Sequence, residues 1–155
     1  MDRATLIRPP SRAFTFSVKF VCGSQQACGC DCTPLRPGSY ATEINLHNLT
    51  TADAEVLVRF IPLVLAGAAA GREPATSAAR AEEKLRLPRQ TATMLDCCRI
   101  SELLFGGESS GERPLIIGFL ELTSAVNLSV TAVYTSSGGA GGVGLEVEQI
   151  AGKQG

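Results

Sequence analysis

The sequence predicts an all-β protein, an antiparallel two-sheet β-sandwich of about six or seven strands with one short helix. Three observations carry this expectation. Several stretches alternate apolar and polar residues with a period of two. Clusters of Gly, Pro, Asn and Asp punctuate those stretches. No helical pattern recurs between them, as a parallel βαβ arrangement would require.

Residues 1–12 are polar, contain Pro9-Pro10 and show no periodicity, so they read as a flexible N-terminal tail. A single domain is expected over 13–150, with 151–155 as a C-terminal tail. The first strand starts at Ala13. Phe14, Phe16, Val18, Phe20 and Cys22 fall on its inward face, and Thr15, Ser17, Lys19 and Val21 on the other. A Cys-rich loop over 22–38 follows, closed by Pro34, Pro37 and Gly38. The second strand, Tyr40 to Asn48, turns Tyr40, Thr42, Ile44 and Leu46 inward and Glu43, Asn45 and His47 outward.

A third strand from about Ala54 to Leu65 places Ala54, Val56, Val58, Phe60 and Val64 on one face. Leu57, Ile61, Leu63 and Leu65 make its opposite face apolar too, which calls for a cover within the domain or from another subunit. Residues 66–90 read as a long connection, with a short surface helix over Thr76–Leu85. Thr93 and Asp96 fit a capping box for a helix reaching Leu104, with Cys97, Ile100 and Leu104 on one face and Gly106-Gly107 ending it. Leu115–Leu122, apolar on both faces, suits a central strand. Asn127–Thr135 turns Leu128, Val130, Ala132 and Tyr134 inward. In Val143–Gln149 the inward residues are Val143, Leu145 and Val147, and Glu146 and Glu148 face outward.

Composition narrows the function classes. Hydrophobic residues are 45% of 155 and charged ones 19%, with a net charge of −1. Such a chain can bury a core, and it offers neither nucleic acid nor an anionic membrane an electrostatic footprint. No signal peptide is visible at the N-terminus, although the cysteine count would also suit an oxidising compartment. The longest apolar run, Phe60 to Ala70, is well short of the roughly 20 residues of a membrane span.

Motifs for enzyme chemistry are weak. Gly139-Ala140-Gly141-Gly142-Val143-Gly144 spells GxGxxG, but a strand-like segment follows where a dinucleotide site needs a helix, so it reads as a hairpin loop. His47 is the sole histidine and its strand parity points it to solvent, and no GxSxG elbow is present. No catalytic residue is assigned. Asn48-Leu49-Thr50 and Asn127-Leu128-Ser129 match the glycosylation sequon, a motif that recurs by chance.

The cysteines carry the strongest chemistry. Cys22, Cys28, Cys30 and Cys32 lie within one short stretch, and Cys97 and Cys98 are adjacent. Three readings stand open. Disulfides would tie the loop to the 97–98 segment, with Cys97 and Cys98 taking different partners because neighbouring cysteines seldom bridge each other. A soft-metal site, zinc or copper, would draw on Cys28, Cys30, Cys32, Cys97 and Cys98, although C-x-C spacing is tighter than structural zinc favours. Unpaired thiols, with Cys22 and Cys97 packed in the core, are the third.

The strings Tyr40-Ala41-Thr42-Glu43-Ile44-Asn45-Leu46-His47-Asn48, Asp96-Cys97-Cys98-Arg99-Ile100, Gly118-Phe119-Leu120-Glu121-Leu122, Ala132-Val133-Tyr134-Thr135 and Val147-Glu148-Gln149-Ile150 resemble a group of small bacterial β-sandwich proteins that carry no functional name. The resemblance covers most of 13–150 and implies no catalytic residues. Ala54-Glu55-Val56-Leu57-Val58-Arg59-Phe60, following Asn-x-Thr, is similar at the level of fold to bacterial immunoglobulin-like adhesion modules. The expected function is a non-enzymatic structural or protein-binding module, taking a protein partner or a second copy of itself, with its Cys-rich loop fastened to residues 97–98. The alternative is a thiol-based soft-metal-binding or redox protein.

Overall fold

A computed structural model describes residues 12–29, 32–107, 113–138 and 141–155. The expected N-terminal tail up to residue 11, Cys30, and Gly139 and Ala140 of the glycine loop lie outside the described residues. The elements are β1 (Phe14–Gln25), β2 (Gly38–His47), β3 (Ala54–Leu65), β4 (Ala68–Ala69), β5 (Ala81–Leu87), β6 (Ala92–Asp96), α1 (Cys97–Phe105), β7 (Ile116–Ser124), β8 (Ser129–Gly138), β9 (Gly142–Ile150) and β10 (Lys153–Gln154). The fold is therefore mostly β and antiparallel with one short helix.

Hydrogen bonding runs unbroken in the order β4-β3-β7-β1-β2-β8-β9, with β5 on β3, β6 on β2 and β10 on β1. Where six or seven strands are expected, the described residues form ten, seven along this path and three paired beside it, all joined in one hydrogen-bonded network. The cause lies in β1. Its first part pairs with β7 from Phe14↔Ser124 to Cys22↔Ile116, and its last three residues, Gly23 to Gln25, pair with β2. Gly23 makes the change of partner with φ 103°, and a Cβ there would sit 2.6 Å from the Pro114 carbonyl oxygen. Only glycine satisfies both the positive φ and that close approach.

The opened ladder leaves the backbone of Val21 without a strand on one side. Thr42 supplies the missing bonds. Its Oγ1 accepts from Val21 N at 2.8 Å and donates to Val21 O at 2.9 Å. One hydroxyl thereby serves a donor and an acceptor, and Thr42 itself is buried. At the opposite corner the chain passes from β9 to β10 through Gly152, where a Cβ would meet the Phe16 ring at 2.6 Å.

The alternation in β1 and β2 is realised: Phe16, Val18, Phe20 and Cys22, and Thr42, Ile44 and Leu46, are buried. They share one core cluster with Val56, Val58, Phe60, Leu120, Leu122, Val130 and Ala132. The Phe20 and Phe60 rings sit 4.9 Å apart. Asn48 closes the end of β2 from within the core. Its Nδ2 donates to Ala52 O at 2.8 Å and Leu87 O at 3.2 Å, and its Oδ1 accepts from Thr50 N at 3.0 Å. The first sequon asparagine is fully buried and its amide nitrogen is already bonded.

Four local readings change. The long connection over 66–90 contains β4 and β5, and Thr76–Leu85 forms no helix. Ala81-Glu82-Glu83-Lys84-Leu85-Arg86-Leu87 contains helix formers, but as a strand it buries Leu87 and packs Ala81 and Leu85 on the core. Its charges meet β3 across the ladder: Arg59–Glu82 at 3.2 Å, Lys84–Glu55 at 3.4 Å and, beside the strand, Arg86–Asp53 at 2.8 Å. The second change is at the helix start. Thr93 belongs to β6, and Asp96 is the N-cap itself, accepting from Arg99 N at 2.9 Å. Ile100 is buried and Cys97 and Leu104 pack beside it, so the apolar face is as expected. Gly106 ends the helix at φ 63°.

The third change follows Pro62, where the β3–β7 register shifts between Pro62 and Val64. Proline cannot donate to the ladder, and a bulge takes up the extra residue. Val64 consequently joins Leu115 and Ile117 in a second cluster covered by Val21 and Leu35, and Leu65 turns to the main core. The loop residue Leu35 thus covers part of the second apolar face. The fourth change is in β9. Val143, Leu145 and Val147 are not inward: they are 78%, 68% and 61% exposed. β9 ends the hydrogen-bonded path, and no described strand lies on its outer side.

Replacing Thr42 with Val keeps the side-chain volume and removes the hydroxyl, leaving the Val21 amide and carbonyl unsatisfied. The expected loss is about 1–3 kcal/mol of stability, read as a lower urea midpoint at unchanged slope; an unchanged midpoint would contradict the role given to Thr42.

Candidate functional site

Cys22 ends the β7-paired part of β1, and Cys97 opens α1. These positions bring the two sulfurs into a disulfide with Cα atoms 5.6 Å apart. Cys22 is buried and Cys97 partly so. Thr42 N donates to Cys97 Sγ at 3.2 Å, which joins the bridge to the same threonine that satisfies Val21. The bridge closes a separation of 75 residues. In the chain-entropy picture a loop of that size restricts the unfolded chain by about 4 kcal/mol.

The other candidate thiols behave differently. Cys32 and Cys98 are free and exposed. Cys28 is disulfide-bonded, and Cys30 lies outside the described residues. The fastening residue on the N-terminal side is therefore Cys22 of the strand, and Cys98, free and exposed, forms no bridge among the described residues. Among the proposed metal ligands, Cys97 has its sulfur committed to Cys22, and no group of three or more His, Cys, Asp or Glu side chains gathers among the described residues. His47 is exposed on β2. No helix among the described residues is long and apolar enough to cross a membrane.

Beside the junction a groove of about 430 Å³ opens between β1, the cysteine loop and the β8–β9 hairpin, lined by Lys19, Val21, Leu35, Tyr40, Tyr134 and Leu145 among others. Tyr134 closes its floor. Its hydroxyl donates to Lys19 O at 2.9 Å, and Glu148 Oε2 lies 3.3 Å from the same oxygen. Burial, then the neighbouring Glu148 and Glu146 carboxylates, push the phenol up to about 12. Burial alone lowers the Lys19 ammonium, whose Nζ stands 4.9 Å from the Phe119 ring centroid. Among the described residues no cysteine or histidine lines the groove, and its tyrosine hydroxyls are bonded to backbone carbonyls, Tyr40 to Arg36 O at 2.6 Å.

Sequence reasoning placed Cys22, Thr42 and Tyr134 inward but gave Thr42 and Tyr134 no role. The signal was present: a hydroxyl at an inward strand position must find a partner.

Two outcomes are expected. Cys97→Ala, or reduction, lowers the unfolding free energy by an amount on the order of 2–4 kcal/mol, read from the urea midpoint and slope with and without reductant. For Tyr134 the folded-state value lies above the usual phenol value of 10.0. Its contribution is complete below that value and is lost as pH rises through about 12. Stability therefore falls over that alkaline window, and Tyr134→Phe flattens the fall in unfolding midpoints measured across it.

No family model matches the chain, and no curated protein matches it. Among solved structures the chain is similar to the crystal structure of Thermotoga maritima 1070, with a TM-score of 0.47 and 11% identity over 90% of this chain and 92% of that chain. At that level the likeness assigns neither a family nor a function.

Proposed function

We propose that this protein is a non-enzymatic β-sandwich module, structural or protein-binding, that associates with copies of itself. The sandwich reading draws support from the shared core, in which Phe16, Phe20 and Phe60 from the β3-β7-β1 part of the path cluster with Ile44, Leu46 and Val130 from the β2-β8 part. The observation that carries the association reading is the row of exposed Val143, Leu145 and Val147 on the terminal strand. Three large apolar side chains on a strand with an open edge mark an interaction surface. The buried Cys22–Cys97 bridge fits a scaffold that must stay closed while its surface is used.

A second reading, thiol-based redox or soft-metal binding with zinc or copper, rests on the free and exposed Cys32 and Cys98. Alkylation of native protein with metal analysis separates the two. Stoichiometric metal carried by these thiols, or alkylation much faster than that of an ordinary thiol, would favour the second reading, and ordinary alkylation rates without metal the first.

Light scattering tests association. The expected mass rises with concentration above the 16.2 kDa of one chain. A mass that stays at one chain at every concentration would overturn self-association.

A further inference from the structure

The strand edges of this molecule are treated unequally. β5 presents Glu82, Lys84 and Arg86, and α1 reaches it through the Arg99–Glu83 ion pair. β4 and β10 are two residues each. The open middle of β1 is capped by Tyr134 on Lys19 O and by Thr42 on Val21. Short length, charge and side-chain caps are the usual means of keeping an edge from recruiting another strand. β9 has neither a short length nor a side-chain cap among the described residues, and its charges, Glu146 and Glu148, alternate with the apolar row without interrupting it. It is nine residues long, contains no proline or lysine, and one edge is fully occupied by β8 from Val130↔Ile150 to Gly138↔Gly142. Its other edge has no strand among the described residues.

The order of residues on this strand says what fits that edge. Gly142-Val143-Gly144-Leu145-Glu146-Val147-Glu148 is self-complementary about Leu145. In an antiparallel pair of two such strands with Leu145 opposite Leu145, each Val143 faces a Val147 on the apolar side. On the other side each Glu146 faces a Gly144 and each Glu148 a Gly142, so no carboxylate opposes a carboxylate. Centring the pair on Glu146 or Val147 sets glutamates against one another, which is destabilising. Centring it on Gly144 leaves Val147 opposite Gly141. Only the Leu145 register pairs all three apolar side chains and separates all the charges.

We propose that a second copy of this chain adds to the edge of β9, antiparallel and two-fold symmetric, in the register that sets Leu145 against itself. The proposal rests on the self-association reading and assigns its contact. An isologous interface of this kind closes on two chains and leaves no further edge of the same type.

Cross-linking in a Cys32→Ser, Cys98→Ser background tests it, with that background as control. Facing residues of antiparallel strands have Cα atoms about 4.5–5.5 Å apart, within disulfide reach. Leu145→Cys is expected to give a covalent dimer under mild oxidation. Val143→Cys alone should give none, whereas Val143→Cys mixed with Val147→Cys should give one. Leu145→Lys should weaken dimerisation at least tenfold by light scattering, with the unfolding midpoint of the monomer retained. A background protein that scatters as a dimer while Leu145→Cys fails to cross-link would overturn this register and leave self-association standing. Equal cross-linking by Leu145→Cys and Val143→Cys alone would also overturn it. A background protein that is a monomer at every concentration overturns both.

Discussion

Where a strand changes partners, its backbone amide and carbonyl groups lose one set of bonds before gaining the next, and the rest of this fold depends on how that gap is closed at Val21 and Cys22. β1 belongs to β7 up to Cys22 and to β2 from Gly23. Three residues distant in sequence meet there: Thr42 bonds both backbone groups of Val21, Cys97 bridges Cys22, and Gly23 supplies the bend. Burial of so many polar groups is tolerated because each is bonded; among the described residues no buried side-chain polar atom lacks a partner. The junction converts what would be two stacks of strands into one continuous path, and Leu35 of the cysteine loop lines the groove beside it.

The same logic of satisfied edges runs outward through the molecule. Tyr134 reaches across from β8 to cap Lys19, and charge pairs knit β5 to β3 on the exposed side. Those exposed pairs contribute little stability each, but they mark the β5 side as a place where another strand is unwelcome. Against that background the uncapped, apolar edge of β9 stands out as a departure from the molecule's own pattern. An association surface there is compatible with a core closed by the Cys22–Cys97 bridge, since β9 adds none of its exposed side chains to that core.

Much of the architecture was legible in the sequence. Period-two alternation correctly placed Phe16, Val18, Phe20, Cys22, Ile44 and Leu46 in the core, because a half-buried strand admits no other pattern at those positions. The failures have specific causes. Residues 81–87 contain helix formers, and only the presence of β3 beside them makes the strand the better state. Val64 and Leu65 exchanged faces because a bulge after Pro62 breaks the parity that alternation assumes. Val143, Leu145 and Val147 have the right period, but periodicity reports that one face is apolar and not what lies above it. For the cysteines, spacing left bridges, metal and free thiols open, since the proximity of Cys22 to Cys97 is a property of the folded path alone.

Native-state hydrogen exchange at the Val21 amide tests the closure of this junction most directly. If Thr42 and the Cys22–Cys97 bridge close the gap in β1, that amide is protected as strongly as the β7-bonded amides of the same strand and exchanges only through global unfolding. A Val21 amide that exchanges as fast as an unpaired loop amide, while the rest of β1 stays protected, would contradict it.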